Sequence, residues 1–323
     1  MNLRTLELFC TIADQRSFSK AAASHELTQS AVSQSMQQLE ESVGCQLIDR
    51  SKRPLVLTTA GNQFLTGVRG ILRSYERLEH EVRSTGKQLS GQITIGSLVS
   101  VGLSYMPEAT DEFSRRHPEV EVKAEFGSRE RVFEMTSAGE VDFALVSFPK
   151  STRDLHFVSW LQEPLRLVCS CENPLAKERE ISVRQLIGIP MIGFDRRLHL
   201  RQEIDRGLAQ AGVQTNVSME FDNTDSMVRA IQANRGVGIL PEAAVRRETA
   251  NGSLQVVACR GLRMTRPLGI IFRRSGRLSR AASEFGSLLL GRPLEAEKRK
   301  SGVGKHAAED SSVESDLGTS IVA

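Results

Sequence analysis

The feature that most constrains the fold is a long apolar seam between residues 58 and 84. Its members follow one another at spacings of four, three, four, three and four positions: Phe64, Val68, Ile71, Tyr75, Leu78 and Val82. This heptad pattern predicts a single helix about 40 Å long, which begins at Thr58-Thr59-Ala60-Gly61. An isolated helix cannot bury such a seam. Two interpretations stay open: the seam pairs with a second copy of the chain, which we favour, or it packs on its own domain.

Three short helices are predicted before this seam, and the third has a polar face without charges. The apolar spacing predicts helices over residues 2–14, 19–26 and 29–43, with Thr28 as the N-cap of the third. One face of the third helix is apolar: Val32, Met36, Leu39 and Val43. The opposite face is uncharged: Ser30, Ser33, Gln34 and Gln37. Such side chains suit base edges and phosphates in a DNA major groove, although a solvated helix face is the alternative.

Residues 47–57 contain two short apolar runs that flank a basic tip. We predict a β-hairpin wing with Arg50, Lys52 and Arg53 at its tip, where basic side chains meet phosphates or enter a minor groove. A solvated turn is the alternative. Residues 1–58 carry six basic and six acidic residues, so DNA binding has to depend on where the charges lie.

Beyond Gln88-Leu89-Ser90-Gly91, a segment with the composition of a hinge, predicted strands and helices alternate. The predicted strands are Ile93–Ile95, Val120–Phe126, Phe143–Val146, Leu165–Cys171, Pro190–Phe194, Val217–Phe221, Gly238–Leu240, Leu254–Ala258 and Leu268–Phe272. The predicted helices are Leu103–Arg116, Arg129–Ala138, Arg197–Ala211, Asp225–Asn234 and Leu278–Leu290. This alternation indicates an α/β architecture. The polar composition from Arg292 onward predicts a disordered tail over residues 292–323.

Residues 3–61 resemble the N-terminal signature of LysR-type transcriptional regulators. The motifs that carry the resemblance are SFSKAAA, LTQSAVSQSMQQLE and LTTAG, and further along GQITIG, VDFAL, NPLA and GVGILPEAA. The resemblance covers about residues 1–291. Its N-terminal motifs are very specific, whereas its C-terminal motifs are specific for the fold and say little about the ligand.

The resemblance implies a mainly α winged helix-turn-helix, a linker helix that pairs two chains, and an α/β regulatory domain like the periplasmic binding proteins. That domain would have two subdomains with a small coinducer between them. The implied boundaries are 1–58 for DNA binding, 59–87 for the linker and dimerisation helix, and 88–291 for the regulatory domain. Within the last, the first subdomain is 92–163 with 267–291 and the second is 164–266, so that the chain crosses near Glu163 and Arg266.

By resemblance, Gln29, Ser30, Ser33 and Gln34 match the recognition-helix contacts, while Arg50 and Arg53 match the wing contacts. The full set of expected DNA contacts is Ser19, Gln29, Ser30, Ser33, Gln34, Gln37, Arg50, Lys52 and Arg53. The expected partners are promoter DNA with an imperfect inverted repeat, further copies of the chain in a dimer or tetramer, a coinducer, and RNA polymerase if the chain is an activator.

Residues Gly96–Gly102 follow a predicted strand and lead into a helix, where free backbone N–H groups favour an anion or carboxylate. Ser100 occupies a position at which related regulators often place Ser or Thr toward the coinducer. Three later segments at predicted strand ends are expected to face the same cleft. The expected effector contacts are Leu98, Ser100, Val101, Ser128, Arg129, Phe194, Asp195 and Asn223. Ordinary helix capping is the alternative for each of these segments.

Other classes of function find less support. The six histidines lack metal-ligand spacing, and neither a G-x-S-x-G nor a P-loop motif occurs, so we expect no enzyme, cofactor or metal site. A ligand-carrying binding protein is disfavoured by the helix-turn-helix and by the charged first 20 residues. With no apolar stretch near 18 residues, we expect a cytoplasmic protein without a membrane partner. Cys169-x-Cys171 leaves a redox sensor as a third possibility, against the simpler interpretation of two reduced core residues.

Overall fold

The computed structural model describes residues 2–83, 89–275 and 277–294. Gln88 of the predicted hinge and the predicted tail from residue 295 lie outside the described residues. Among the helices that are described, none combines the length and apolar character needed to cross a membrane.

Residues 2–83 form a helical domain with a small hairpin. In chain order its elements are α1 (Leu3–Gln15), α2 (Phe18–Ser24), α3 (Gln29–Val43), β1 (Ile48–Asp49), β2 (Val56–Leu57) and α4 (Thr59–Arg83). Side chains of Asn2, Ser17 and Thr28 accept hydrogen bonds from the first turns of α1, α2 and α3. Polar N-caps thus fix where each helix begins, since they satisfy backbone N–H groups that lack a partner within the helix.

A single core joins these helices to the start of α4. Phe9, Val32, Met36 and Leu39 are buried together, and Val68 of α4 is 2% exposed in the same cluster. Val43, expected on the apolar face of α3, is instead 38% exposed because it lies in the last turn, beyond the reach of the core.

The described chain from residue 89 is α/β. Its first elements are β3 (Gly91–Leu98), α5 (Val99–Arg116), β4 (Val120–Gly127), α6 (Arg129–Ala138), β5 (Phe143–Ser147), β6 (Leu155–Ser170), β7 (Ile181–Ser182) and β8 (Pro190–Phe194). The remaining elements are α7 (His199–Gln210), β9 (Asn216–Phe221), α8 (Thr224–Gln232), β10 (Val237–Pro241), α9 (Arg246–Ala250), β11 (Leu254–Val257), β12 (Cys259–Arg260), β13 (Thr265–Arg273) and α10 (Arg280–Leu290).

One twisted mixed sheet runs through this region in the order β4-β3-β5-β13-β6-β10-β8-β9, with β11 also paired to β6. Strand β6 is shared: its first part pairs with β13, and its last residues pair with β10 and β11. We call the part with β3, β4, β5 and β13 the first subdomain and the part with β8, β9 and β10 the second. Each has its own apolar core.

Two boundaries differ most from the sequence expectations, by ten residues at β6 and by four at α5. The strand expected from Leu165 begins ten residues earlier, at Leu155, because the alternating polar residues of that segment pair along β13. Helix α5 begins at Val99 rather than Leu103, directly after β3, so the expected loop Gly96–Gly102 does not exist. The close fit of Gly102 against Phe126 and Ser97 shows that tertiary packing outweighs the weak helix propensity of this stretch.

Residues 292–294, which were expected to belong to the disordered tail, are part of the described fold. Arg292 donates a hydrogen bond to the carbonyl of Ser159 at 2.8 Å, and Leu294 is 7% exposed in the first subdomain's core, against Gly286. Composition missed this because Arg292 and Leu294 contribute little to the average of a long polar segment.

Candidate DNA-binding surface and effector cleft

Helix α3 presents the expected uncharged face to solvent. Gln29, Ser30, Gln34 and Gln37 are exposed, and Ser33 is half-buried beside the wing. Val32, Met36 and Leu39 are buried on the other side. Because the buried face fixes the rotation of α3, the polar side chains all point away from the core, as insertion into a groove requires.

Several of these side chains are already held in place. Ser19 Oγ donates to Gln29 Oε1 at 2.9 Å, which links α2 to the start of α3. At the other end of the face, Gln37 Nε2 donates to Glu41 Oε1 at 3.2 Å. Gln34 lies between them and is exposed. Side-chain amides of this kind can bind adenine with two hydrogen bonds.

Arg50 is oriented toward the domain rather than toward the tip of the wing. Its Nη2 donates to Glu40 Oε2 at 2.8 Å, its Nη1 lies 3.4 Å from Ser33 Oγ, and its guanidinium lies over the ring of Phe18. Glu40 Oε1 also accepts from the backbone N–H groups of Leu47 and Ile48. Arg50 therefore braces the wing against α3. Sequence analysis missed Glu40 as the acceptor because the partners of Glu40 lie in the wing rather than on α3.

Lys52 and Arg53 form the exposed basic tip of the wing. Arg53 donates to the carbonyls of Arg50 and Lys52, and Lys52 lies 3.9 Å from Asp49. Hydrogen bonds from Ser51 lower the pKa of Asp49. Of the three basic residues expected at the tip, these two remain available for phosphates.

The structure divides the predicted α4 seam in two. Phe64 packs edge-on against Phe9 at 5.4 Å between ring centroids, and Val68 is buried with it in the N-terminal domain. Both therefore serve their own domain, as the second interpretation expected. The later members are exposed large apolar side chains: Ile71 53%, Tyr75 46%, Leu78 57% and Val82 64%.

The segments expected to bind the effector follow the carboxyl ends of parallel strands. In the first subdomain β3 and β4 are neighbours, with Leu98 paired to Gly127, and in the second β8 and β9 are neighbours, with Phe194 paired to Phe221. The two subdomains meet where the ring of Phe148, just after β5, lies 4.5 Å from that of His199 in α7. Strand ends of this kind form ligand clefts in open α/β sheets.

Not every expected effector residue can reach such a cleft. Val101 is fully buried in the first subdomain's core, and Phe194 is 4% exposed in the second subdomain's core. Both point inward because α5 begins directly after β3 and because alternate residues of β8 face opposite sides of the sheet. Leu98 and Ser100 are half-buried at the start of α5.

Ser100 belongs to a buried polar cluster between the subdomains. Arg266 Nη1 donates to Ser100 Oγ at 2.9 Å, while its Nε and Nη2 donate to Glu163 Oε2 at 2.7 and 2.5 Å. The side chains of Arg266 and Glu163 are 2% and 1% exposed, and the two residues are directly opposite in the β6–β13 ladder. Burial and then the charge of Glu163 raise the pKa of Tyr105, which joins the cluster from α5.

The capping interpretation holds for Ser128 and Asn223, whereas Asp195 bonds within its own loop and does not cap α7. Ser128 Oγ accepts from the N–H of Arg131 at the start of α6, and Asn223 Oδ1 accepts from the N–H of Ser226 at the start of α8. Asp195 accepts from the backbone and side chain of Arg197, and these bonds lower its pKa to about 2. An ionised Asp195 would repel an anionic effector, so it is a poor ligand for one.

Arg129 is held by main-chain oxygens. Its guanidinium donates to the carbonyls of Ser147 at 2.6 Å and Phe148 at 3.1 Å and lies over the ring of Phe133. It therefore ties α6 to the end of β5. Sequence analysis missed Phe148, His199, Glu163, Arg266 and Tyr105 in this region, and the only signal was that Glu163 and Arg266 lie at the expected crossings.

The five cysteines lie in the described residues as free thiols, and Cys169 is buried whereas Cys171 is exposed. Burial raises the pKa of Cys10 and of Cys169 to about 11 and also raises that of Cys259, so none of these thiols is activated. Within residues 2–83, 89–275 and 277–294 no group of three potential His, Cys, Asp or Glu ligands lies together.

The comparisons agree with this geometry. Residues 3–62 match the family model of the bacterial regulatory helix-turn-helix proteins of the LysR family, and residues 86–293 match that of the LysR substrate binding domain. The chain is 31% identical over 281 residues to the HTH-type transcriptional regulator YfeR of Shigella flexneri, which covers 87% of this chain and 91% of that protein.

Solved structures share the fold over most of the chain. Full-length OxyR from Pseudomonas aeruginosa has a TM-score of 0.70 at 20% identity, over 90% of this chain and 94% of that one. Full-length CbnR in complex with its target DNA has a TM-score of 0.69 at 20% identity, over 90% and 99% of the two chains. The two matched family models together span nearly the whole described chain, and their members are regulators rather than enzymes. The chain therefore belongs to the LysR family of DNA-binding transcriptional regulators.

Proposed function

We propose that the protein binds an imperfect inverted repeat in promoter DNA as a dimer, or as a tetramer built from dimers, paired through α4. The observation that carries this proposal is the exposed apolar face of Ile71, Tyr75, Leu78 and Val82. Four large apolar side chains on one helix are costly in water and mark an interaction surface. A symmetric dimer presents two recognition helices and therefore requires matched half-sites.

Substitution of Ile71 or Leu78 by Asp tests this dimer. A charge on the apolar face is costly to bury, so sedimentation should show monomers, and affinity for the inverted repeat should fall together with dimerisation. Glu76→Asp is the matched control, because Glu76 is exposed about 140° around the same helix from Ile71 at about 100° per residue. Dimers that persist in both Ile71→Asp and Leu78→Asp would refute the assignment.

The regulatory domain, in this proposal, binds a small anion beside Ser100. Because Ser100 Oγ accepts a hydrogen bond from buried Arg266, its own proton is available for a carboxylate or phosphate oxygen. The first turn of α5 also lacks a side-chain cap, so its N–H groups can face the same anion. Binding would change the arrangement of the two subdomains and thereby the DNA-bound state.

A thermal-shift screen with small mono- and dicarboxylates and phosphate esters tests this site. A compound that stabilises the protein should lose most of its effect in Ser100→Trp, which fills the site, and part of it in Ser100→Ala. Full stabilisation of Ser100→Trp would place the compound elsewhere. Since the matched helix-turn-helix family is one of bacterial regulators, we infer that the protein acts in the cytoplasm and, if it is an activator, contacts RNA polymerase.

A further inference from the structure

Helix α6 reaches from the cleft to the DNA-linked helix α4. Its first residue, Arg129, follows the end of β4, and its last, Ala138, lies against Gly70 of α4. Ten residues at about 1.5 Å each span roughly 15 Å. The two ends of one short helix therefore touch the two parts of the molecule that a regulator has to connect.

The contact between α6 and α4 is made by backbone atoms. Gly70 is buried, and a Cβ atom added to it would lie only 2.4 Å from the carbonyl oxygen of Ala138. That distance is far shorter than any stable contact, so only glycine allows this approach. Arg73, one turn further along α4, extends the contact toward Glu125 of β4, with 3.6 Å between Nη2 and Oε1.

Helix α6 is firmly held as a single unit. Ser128 caps its start, and Gly139, at φ +72°, closes its end with bonds from Gly139 N–H to the Thr136 carbonyl and from Glu140 N–H to the Met135 carbonyl. Its inner face is buried against β5 and β13. A capped and packed helix of this length moves as a rigid body, so displacement at one end appears at the other.

The cleft end of α6 is connected to the second subdomain. Arg129 binds the carbonyls of Ser147 and Phe148. Phe148 adopts a left-handed backbone conformation at φ +51°, and its ring packs on the second subdomain's core beside His199. Movement of the second subdomain relative to the first therefore displaces Phe148, and the Phe148 carbonyl displaces Arg129.

We propose that α6 couples the cleft to α4: Phe148 and Arg129 transmit movement of the second subdomain to α6, and Ala138 transmits it to Gly70. The inference deepens the proposed effector response and rests on that function for its biological purpose. The coupling itself is a property of the chain without any effector, so it can be tested separately.

Hydrogen–deuterium exchange of the full-length protein measures this coupling. Gly70→Ala should raise exchange about tenfold in peptides that cover residues 129–140, because the added methyl group separates α4 from α6. Gly67→Ala is the matched control, since an added Cβ there meets nothing within 4 Å and the gain in helix propensity is the same. Sedimentation has to show the same oligomeric state for both variants. This check is needed because Gly67 lies on the side of α4 that carries Ile71, where a substitution can alter dimerisation.

The second part of the exchange experiment perturbs α6 at its cleft end, where Arg129 lies. Arg129→Gln should raise exchange in α4 around Gly70 in the wild-type background and add little in the Gly70→Ala background, where the contact is already lost. If Gly70→Ala unfolds the protein, Arg73→Gln weakens the adjoining contact of α4 with Glu125 of β4 without a clash, and it should also raise exchange over residues 129–140.

Two outcomes would overturn the coupling. The first is exchange over residues 129–140 that is the same in Gly70→Ala as in the control Gly67→Ala. Where Arg73→Gln replaces Gly70→Ala, the same comparison applies to it. The other is Arg129→Gln loosening α6 while leaving α4 at the wild-type rate. Neither depends on an effector, so failure of the anion site beside Ser100 and failure of this coupling are distinguished.

Discussion

Replacement of Arg266 by Met should destabilise the regulatory domain far more than the loss of an exposed arginine would. The Arg266 and Glu163 side chains are 2% and 1% exposed, and both hydrogen bonds between them end on Glu163 Oε2. Met leaves the Glu163 carboxylate buried without its cation. Breaking a buried pair from one side costs about 3–5 kcal/mol of unfolding free energy.

Removal of both charges should restore much of that loss. In Glu163→Gln with Arg266→Met, no buried charge remains at this point of the β6–β13 ladder. Replacement of a whole buried pair by neutral side chains is often close to neutral, so we expect the double variant to recover at least about 2 kcal/mol.

The chain contains its own reporter for this measurement. Trp160 is the only tryptophan, lies on β6 three residues before Glu163, and contacts Tyr105 at 4.9 Å between ring centroids. Urea unfolding followed by its fluorescence therefore reports on the region around the pair. Arg263→Met is the control because Arg263 is exposed. A loss below about 1 kcal/mol for Arg266→Met, or a double variant as unstable as the single one, would refute the reasoning.

Three further predictions concern DNA contacts, thiols and the C-terminus. Gln34→Ala should relax the preference for one base pair by about 1–3 kcal/mol. Arg53→Ala should instead weaken binding to all sequences and lower the slope of log binding constant against log salt concentration by about one. Both are measured by titration of DNA sites with single base changes, and identical behaviour of the two variants would contradict this division of roles. Because burial raises the pKa of Cys10 and Cys169 to about 11, both thiols should resist iodoacetamide at pH 8 until the chain unfolds. The free energy of unfolding should also fall as the pH rises from about 9 toward 11, since only the unfolded chain loses these protons there. Rapid alkylation of the folded chain would contradict this. Truncation after Leu294 should leave the melting temperature unchanged, whereas truncation after Gly291 should lower it because the buried Leu294 is lost; equal melting temperatures would show that Leu294 does not matter.

The local sequence pattern was sufficient to predict helix bounds wherever they depend on residues that are close in the chain. The bounds of α3, Gln29–Val43, follow from Thr28 at one end and from Gly44 in the left-handed conformation at the other. Helix α6 is likewise predicted at its observed bounds, with Ser128 and Gly139 as caps. Helical period and capping chemistry act within four residues, so they can be read from the sequence alone.

The tertiary structure decided the roles that depend on distant partners. Phe64 and Ile71 belong to one heptad pattern, yet only Phe64 is covered, because α1 lies over the first turns of α4 and ends there. The sequence shows the charge of Arg50, but its ion pair with Glu40 on α3, ten residues before it, is set by packing. Glu163 and Arg266 are separated by 103 residues and become a buried pair only where β6 and β13 align. Periodicity shows that a face is apolar or that a side chain is charged, but what covers it is fixed by packing between segments far apart in the chain.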